Sequence, residues 1–256
     1  MLRIITAMRY VTPLREGGSL PAIVEADDGQ LYVLKFCGAG QGPKALIAEL
    51  VAGELARTLG LPVPEIVLAH LDPALGRSEP DPEIQDLIKA STGLNLALAY
   101  LPGVFAFDPR LNPLGPELAS AVVWFDAYVT NVDRTPRNTN ILISQGLPWL
   151  IDHGAALYFH HDWNNYLARS RSRFPQIKEH VLLPFASNLA RADAALSPRL
   201  TPEVIDSIVA LIPASWLGDE PDFANKVEHR AAYTAFLRQR LEAPRVFVEE
   251  AIRARS

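Results

Sequence analysis

The densest run of chemically able side chains in this 256-residue chain is Asn131-Val-Asp133-Arg-Thr-Pro-Arg-Asn138-Thr-Asn140. Apolar segments flank it, and Pro136 forbids a continuous helix, so the run reads as a loop. A second carboxylate follows in Ile151-Asp152-His153-Gly154. The residues between predict a hairpin, Asn140–Ser144 and Leu147–Asp152, turning at Gln145-Gly146. Such a hairpin sets Asn140 beside Ile151 or Asp152 and returns Asp152 to the loop that carries Asp133. Two carboxylates and one or two carboxamides then converge. Hard oxygens of this kind suit Mg²⁺, which takes few protein ligands and bridges phosphate oxygens. A carboxylate in the same place can accept a proton from an attacking hydroxyl. Asp and Asn are also common in turns, where they bond to nearby backbone.

Lys35 is the second candidate. It lies in an expected strand, Leu31–Phe36, in which Leu31, Val33 and Lys35 share one face and Tyr32, Leu34 and Phe36 the other. A lysine among apolar neighbours is costly to bury unless an anion meets it, the other reading being a stem that snorkels to water. The following helix offers Glu49, whose helical neighbours Ala45, Ala52 and Gly53 permit close approach to a sheet. Glu54 instead pairs with Arg57 at i+3 on the surface. Between strand and helix, Gly38-Ala-Gly-Gln-Gly42 invites a phosphate-loop reading, but Pro43 breaks the required Gly-Lys-Ser/Thr ending. Gly17-Gly18-Ser19 reads as a plain turn or as a backbone approach to phosphate. His160-His161-Asp162 reads as a surface loop, since adjacent side chains rarely chelate one ion. Cys37, the sole cysteine, reads as core rather than nucleophile and rules out an internal disulfide.

These residues need elements to hold them. A hairpin is expected at Ala22–Ala26 and Leu31–Phe36, turning at Asp28-Gly29, then a helix from Pro43 to about Leu59, stopped by Gly60 and Pro62. Strands near Ile66–Ala69 and Leu94–Leu101 and a short helix near Ile84–Ala90 complete a strand-rich first part. Beyond Pro102-Gly103 the pattern turns helical: Glu117–Thr130, then pieces around 177–191, 202–212 and 222–253, with the one hairpin inserted. The expected architecture is α+β in two lobes, residues 1–101 and 102–256, with a cleft between them.

Acidic residues number 29 against 24 basic, a formal net charge of −5. That balance argues against a phosphate-binding basic surface for nucleic acid and against a polybasic membrane anchor. A hydrophobic content of 49% argues against disorder. The N-terminal apolar stretch is too short for a signal peptide, and the run Leu118–Val129 is broken by Ser120 and Asp126. A soluble, cytoplasmic protein is expected, with no membrane or nucleic-acid partner.

A strand lysine, a glutamate in the next helix, an aspartate with asparagine five positions on, and Asp-x-Gly after a hairpin together resemble protein-kinase-like enzymes. More specifically, the chain resembles the HipA-like kinase family. The resemblance is carried by Leu34–Lys44, Ala48-Glu-Leu50, Gly60-Leu-Pro-Val-Pro64, Tyr100-Leu-Pro-Gly103, Asn131-Val-Asp-Arg134 and Ile151-Asp-His-Gly154, within about residues 15–165. It implies a two-lobed protein-kinase-like fold and an ATP- and Mg²⁺-dependent phosphotransferase. On that resemblance Lys35 would hold the nucleotide phosphates and Glu49 would orient it. Ala99, Tyr100 and Leu101 would meet the adenine through their backbone. Asp133 would be the catalytic base, Asn138 and Asp152 would hold Mg²⁺, and His153 stands where many kinases have Phe. The acceptor would be a hydroxyl of an unknown protein or small molecule. Thr135, where related kinases often carry His, keeps open a nucleotide- or partner-binding pseudokinase. A kinase for a sugar, inositol or antibiotic hydroxyl is the other alternative.

Overall fold

Alternating burial organises the first part of the chain. In β3 (Leu31–Lys35) Tyr32 and Leu34 are buried, while Leu31, Val33 and Lys35 face the other way. The same period of two runs through β2 (Ala22–Ala26) and the start of β1 (Ile4–Pro13). With β4 (Ile66–Leu71) and β5 (Gly93–Ala99) these strands close into a barrel in the order β1-β2-β3-β5-β4. Ile5, Val24, Tyr32, Leu34, Val67 and Ala97 fill its interior. The computed structural model describes residues 2–14, 20–40 and 42–256, so Gly17-Gly18-Ser19 and Gln41 lie outside the described residues.

Two strands depart from the expected set. β1 carries register shifts between Ala7 and Arg9 and between Tyr10 and Thr12. These bulges let it bend around the barrel and pair with β2 antiparallel and β4 parallel. They also blur the alternation by which a strand is read. β6 (Phe105–Ala106) has two residues, too few to show a pattern.

Between β3 and β4 lies α1 (Pro43–Thr58), with Pro43 in its first turn and Gly42 before it at φ 63°. It stops at Gly60 (φ 79°), where Gly60 N–H donates to Arg57 and Leu61 N–H to Ala56, a Schellman ending. Gly53 permits the close approach to the sheet: a Cβ there would sit 2.3 Å from Ile66 Cδ1. Residues far along the chain tie both ends of α1. Lys44 Nζ pairs with Glu220 Oε1 at 2.6 Å, and Arg199 donates to the carbonyls of Leu59 (2.7 Å) and Thr58 (3.1 Å).

A short helix α2 (Pro82–Ala90) precedes β5, and α3 (Pro116–Tyr128) follows β6. α3 is buried around most of its circumference, as expected of a helix through the middle of a core. β7 (Ile141–Ser144) and β8 (Leu147–Leu150) form the expected hairpin, pairing Ile141 with Leu150. Gln145 (φ 51°) and Gly146 (φ 77°) are both left-handed, the two-residue turn whose twist suits a hairpin. Then come α4 (Tyr166–Ser170), α5 (Leu189–Leu196), α6 (Pro202–Val209), α7 (Lys226–Leu241) and α8 (Val246–Arg255). The piece expected around 177–191 is instead two 3₁₀ turns, Pro175–Glu179 and Leu183–Phe185, before α5, and Pro244 helps separate α7 from α8. The larger hydrophobic core begins on α1, passes through α3 and reaches α8. Among the described residues no helix is long and apolar enough to cross a membrane.

Candidate active site

The loop after α3 is shaped by a buried ion pair. Asp126 and Arg134 side chains are both at 0% exposure, with Arg134 Nε donating to Asp126 Oδ2 at 2.6 Å. Asn131 Nδ2 donates to Asp126 Oδ1 (2.9 Å) and His180 Nε2 to Oδ2 (2.9 Å). Leu182 N–H donates to His180 Nδ1, which leaves Nε2 as the protonated nitrogen. Burial opposes the Asp126 charge, but Arg134 and His180 overcome it and hold the carboxyl well below its usual range. Burial pushes the His180 imidazole down, so it stays neutral. Arg134 also donates to the carbonyls of Asn140 and Ile151, joining the loop to the end of the β7–β8 hairpin.

On this frame the loop presents Asp133. Thr135 and Asn138 exchange backbone hydrogen bonds of 3.0 and 3.1 Å, which pinch the turn. Asn138 Nδ2 then donates to Asp133 Oδ2 at 2.6 Å. Buried Asn140 reaches Asp133 Oδ2 at 3.4 Å and the Asp152 carbonyl at 3.5 Å, bridging the loop and the hairpin.

Lys35 supplies the opposite wall. Its ammonium lies 2.6 Å from Glu49 Oε2 and 2.7 Å from Asp152 Oδ1. Glu49 is wholly buried, the Lys35 side chain is 13% exposed and that of Asp152 48%. Burial works against the Lys35 charge, yet Glu49 and Asp152 outweigh it and raise the ammonium above its ordinary range. Burial equally opposes the Glu49 charge, and Lys35 keeps that carboxyl well below its ordinary range. Asp152 has φ 53°, a left-handed backbone uncommon outside glycine. His153, buried completely, packs edge-on to Phe125 with ring centroids 6.0 Å apart. Neither of its ring nitrogens is hydrogen-bonded, and Glu49 Oε1 is unbonded too. A buried polar group left without a partner costs about 1–3 kcal/mol.

Lys35, Asp133 and Asp152 line one cleft of about 240 Å³, joined by Gly40, Gly42 and Ala45 from the glycine segment and the start of α1. The glycine segment is thus at the cleft although it lacks the phosphate-loop motif. Asn138 is tied to Asp133, and Glu49 stands behind Lys35. Ala99 ends β5, paired with Tyr32 while Leu96 pairs with Lys35, and is followed by Tyr100 and Leu101. Ala99 and Tyr100 N–H donate to Glu65 and Leu31 carbonyls, so those two amides already serve the sheet.

The donor set fits Mg²⁺. Asp152 offers an exposed carboxylate, and Asn138, whose nitrogen faces Asp133, has its carboxamide oxygen left for a ligand. Among the described residues no group of three or more His, Cys, Asp or Glu could hold a metal. Two hard oxygens are enough for an ion that shares its shell with phosphate and water.

Asn140 is expected beside Ile151 or Asp152, whereas Asp126, Arg134 and His180 are not among the expected site residues. Their signal was the charge of Asp126 inside an apolar helical run and an arginine next to Asp133, but a partner such as His180 has no spacing that marks it. A further expectation is overturned. His160 is buried rather than on a surface loop, because a 3₁₀ turn at Tyr158–His161 points it inward, 3.2 Å from the Tyr233 hydroxyl. His161 and Asp162 are exposed as expected.

A family model described as HipA-like kinase matches residues 7–245. Among solved structures, the Helicobacter pylori proinflammatory kinase CtkA is similar with a TM-score of 0.62 at 15% identity, covering 100% of this chain and 99% of its own. The Golgi casein kinase with Mn/ADP bound is similar with a TM-score of 0.50 at 12% identity, covering 99% of this chain and 73% of its own. These likenesses show a kinase-like α+β fold. No curated protein matches in sequence.

Proposed function

The chain belongs to the HipA-like kinase family, and from that premise we propose that it is an ATP- and Mg²⁺-dependent phosphotransferase that passes the γ-phosphoryl group to a hydroxyl acceptor. The observation that carries this reading is the meeting of Lys35, Asp133 and Asp152 on one cleft, from three separate stretches of chain.

Each side chain has work suited to its surroundings. Lys35, kept charged by Glu49, holds phosphate oxygens. Asp133 accepts the proton of the attacking hydroxyl, its carboxylate aimed by Asn138 and Asn140. Asp152 and the Asn138 carboxamide oxygen hold the cation. When bound, Mg²⁺ neutralises charge on the phosphate oxygens. The Mn/ADP carried by the Golgi casein kinase structure supports nucleotide and divalent-ion use here. The segment Ala99–Leu101 takes the adenine through its backbone, and Leu101 supplies the amide, since those of Ala99 and Tyr100 donate within the sheet. Residues 1–101 form the lobe on the phosphate side and 102–256 the lobe carrying Asp133 and Asp152. The acceptor is a protein or small-molecule hydroxyl.

The test is ATP turnover and autophosphorylation with Mg²⁺ for wild type and Asp133→Ala. Wild-type signal well above the variant supports transfer. Equal background signals with ATP-dependent thermal stabilisation would make the chain a nucleotide-binding module instead.

A further inference from the structure

Glu49 and His153 face each other across an unmade hydrogen bond. His153 Nδ1 lies 3.7 Å from Glu49 Oε1, beyond hydrogen-bond reach, and both atoms are buried and unbonded. Two such groups side by side in a packed interior point to a contact that forms in another state of the site. The connections on either side say which state. His153 is joined by a peptide bond to Asp152, and the other oxygen of Glu49 grips Lys35. Phe125, edge-on to the imidazole, limits how the ring can turn.

We propose that His153 is a positioning residue for Lys35, acting through Glu49: its Nδ1–H donates to Glu49 Oε1 and fixes the carboxylate orientation that presents Oε2 to the ammonium. Lys35 is shared here between Glu49 and Asp152. On the phosphotransferase reading, on which this step rests, Asp152 turns to the cation and Lys35 keeps Glu49 as its one protein anion. The orientation of Glu49 then decides where the ammonium meets phosphate. A movement of about 1 Å brings the pair to hydrogen-bond distance, and catalytic contacts are often long before the nucleotide is bound.

Packing and positioning roles make opposite predictions for two variants. His153→Phe keeps a ring in the buried space but removes the donor. His153→Asn loses ring volume but keeps a nitrogen where Nδ1 stands, and His153→Gln provides a second donor variant should His153→Asn fail to fold. Two measurements are made on the full chain: kcat and KM for ATP with Mg²⁺, and, with Mg²⁺ and a non-hydrolysable ATP analogue bound, the rate at which acetic anhydride acylates Lys35, read by peptide mass spectrometry. Positioning predicts about a tenfold loss of kcat/KM in His153→Phe, the size of one hydrogen bond to a charged group. It also predicts faster Lys35 acylation there, with both readouts returning towards wild type in a folded donor variant. A His153→Phe variant equal to wild type in both, or donor variants that fold yet are no better than His153→Phe, would overturn the proposal. Should wild type turn ATP over no faster than Asp133→Ala, the phosphotransferase reading falls, and the acylation rates alone decide the role of His153.

Discussion

Two buried carboxylates in this molecule each sit between a cation and a histidine, and they are finished differently. Asp126 receives Arg134, His180 and Asn131, and its histidine is itself bonded at both nitrogens. Glu49 receives Lys35 on one oxygen only, and its histidine is bonded at neither nitrogen. The first cluster is sealed, at 0–3% side-chain exposure for Asp126, Arg134 and His180. The second opens to the cleft through Asp152, at 48%. A charge that has only to stay put can be saturated with partners. A charge that has to exchange partners cannot, because every bond made at rest must be broken in use. The Asp126 carboxylate is saturated, although Arg134 Nη2 beside it is unbonded, whereas the incomplete Glu49 pair borders the cleft in which the phosphotransferase reading puts the chemistry.

Single substitutions can break this contrast. Asp152→Asn should lower ATP turnover about a thousandfold, within the range found for groups acting on the reacting atoms, while thermal unfolding moves by only a few degrees. Asp126→Asn should do the reverse in kind: it leaves Arg134 buried without a counter-charge and costs about 3–5 kcal/mol in denaturant unfolding. An Asp126→Asn protein as stable as wild type would remove the distinction.

Lys35→Met sharpens it through pH. Glu49 would then be buried without its cation, and its folded-state pKa would rise above the unfolded value of about 4.3. A carboxylate raised in the folded state loses stability as pH rises through that raised pKa. The variant should therefore gain stability between about pH 7 and pH 5 in denaturant titrations, and adding Glu49→Gln should abolish the gain. Wild type has the opposite sign. Glu49 and Asp126 are both lowered, so their contribution is complete above about pH 4.5 and is lost as pH falls through their lowered values. The smallest effect belongs to the surface pair Arg57–Glu54 (2.9 Å): Arg57→Ala should cost about 0.3 kcal/mol, and more than 1 kcal/mol would mean that partly exposed pairs count for more here than expected.

What could be read in advance was whatever neighbours in sequence decide. Gln145-Gly146 gave away the β7–β8 hairpin, because a two-residue turn with both φ positive needs such residues. Pro43 and Gly60 marked the ends of α1 for equally local reasons. β1 was hidden by its bulges, and the helical pieces after residue 170 were misjudged where prolines cut them into 3₁₀ turns. At the cleft, residue types made Lys35, Glu49, Asp133 and Asp152 legible, since a lysine in an apolar strand demands an anion. Asp126 and His180 were not legible as partners, because 54 residues separate them and only packing brings them together. His153 stood in view beside Asp152, but its burial against Glu49 is a property of the fold.

The ties at both ends of α1 have a mechanical consequence. A helix held at one end is a lever, and its swing can carry a side chain into or out of a site. With Lys44 fastened to Glu220 and the last carbonyls fastened to Arg199, α1 is a beam built in at both ends by segments that are late in the chain. Such a beam bends little, so Glu49 near its middle serves as a fixed datum. Glu49 already holds Lys35 at 2.6 Å, so the pair is carried by a helix that does not swing.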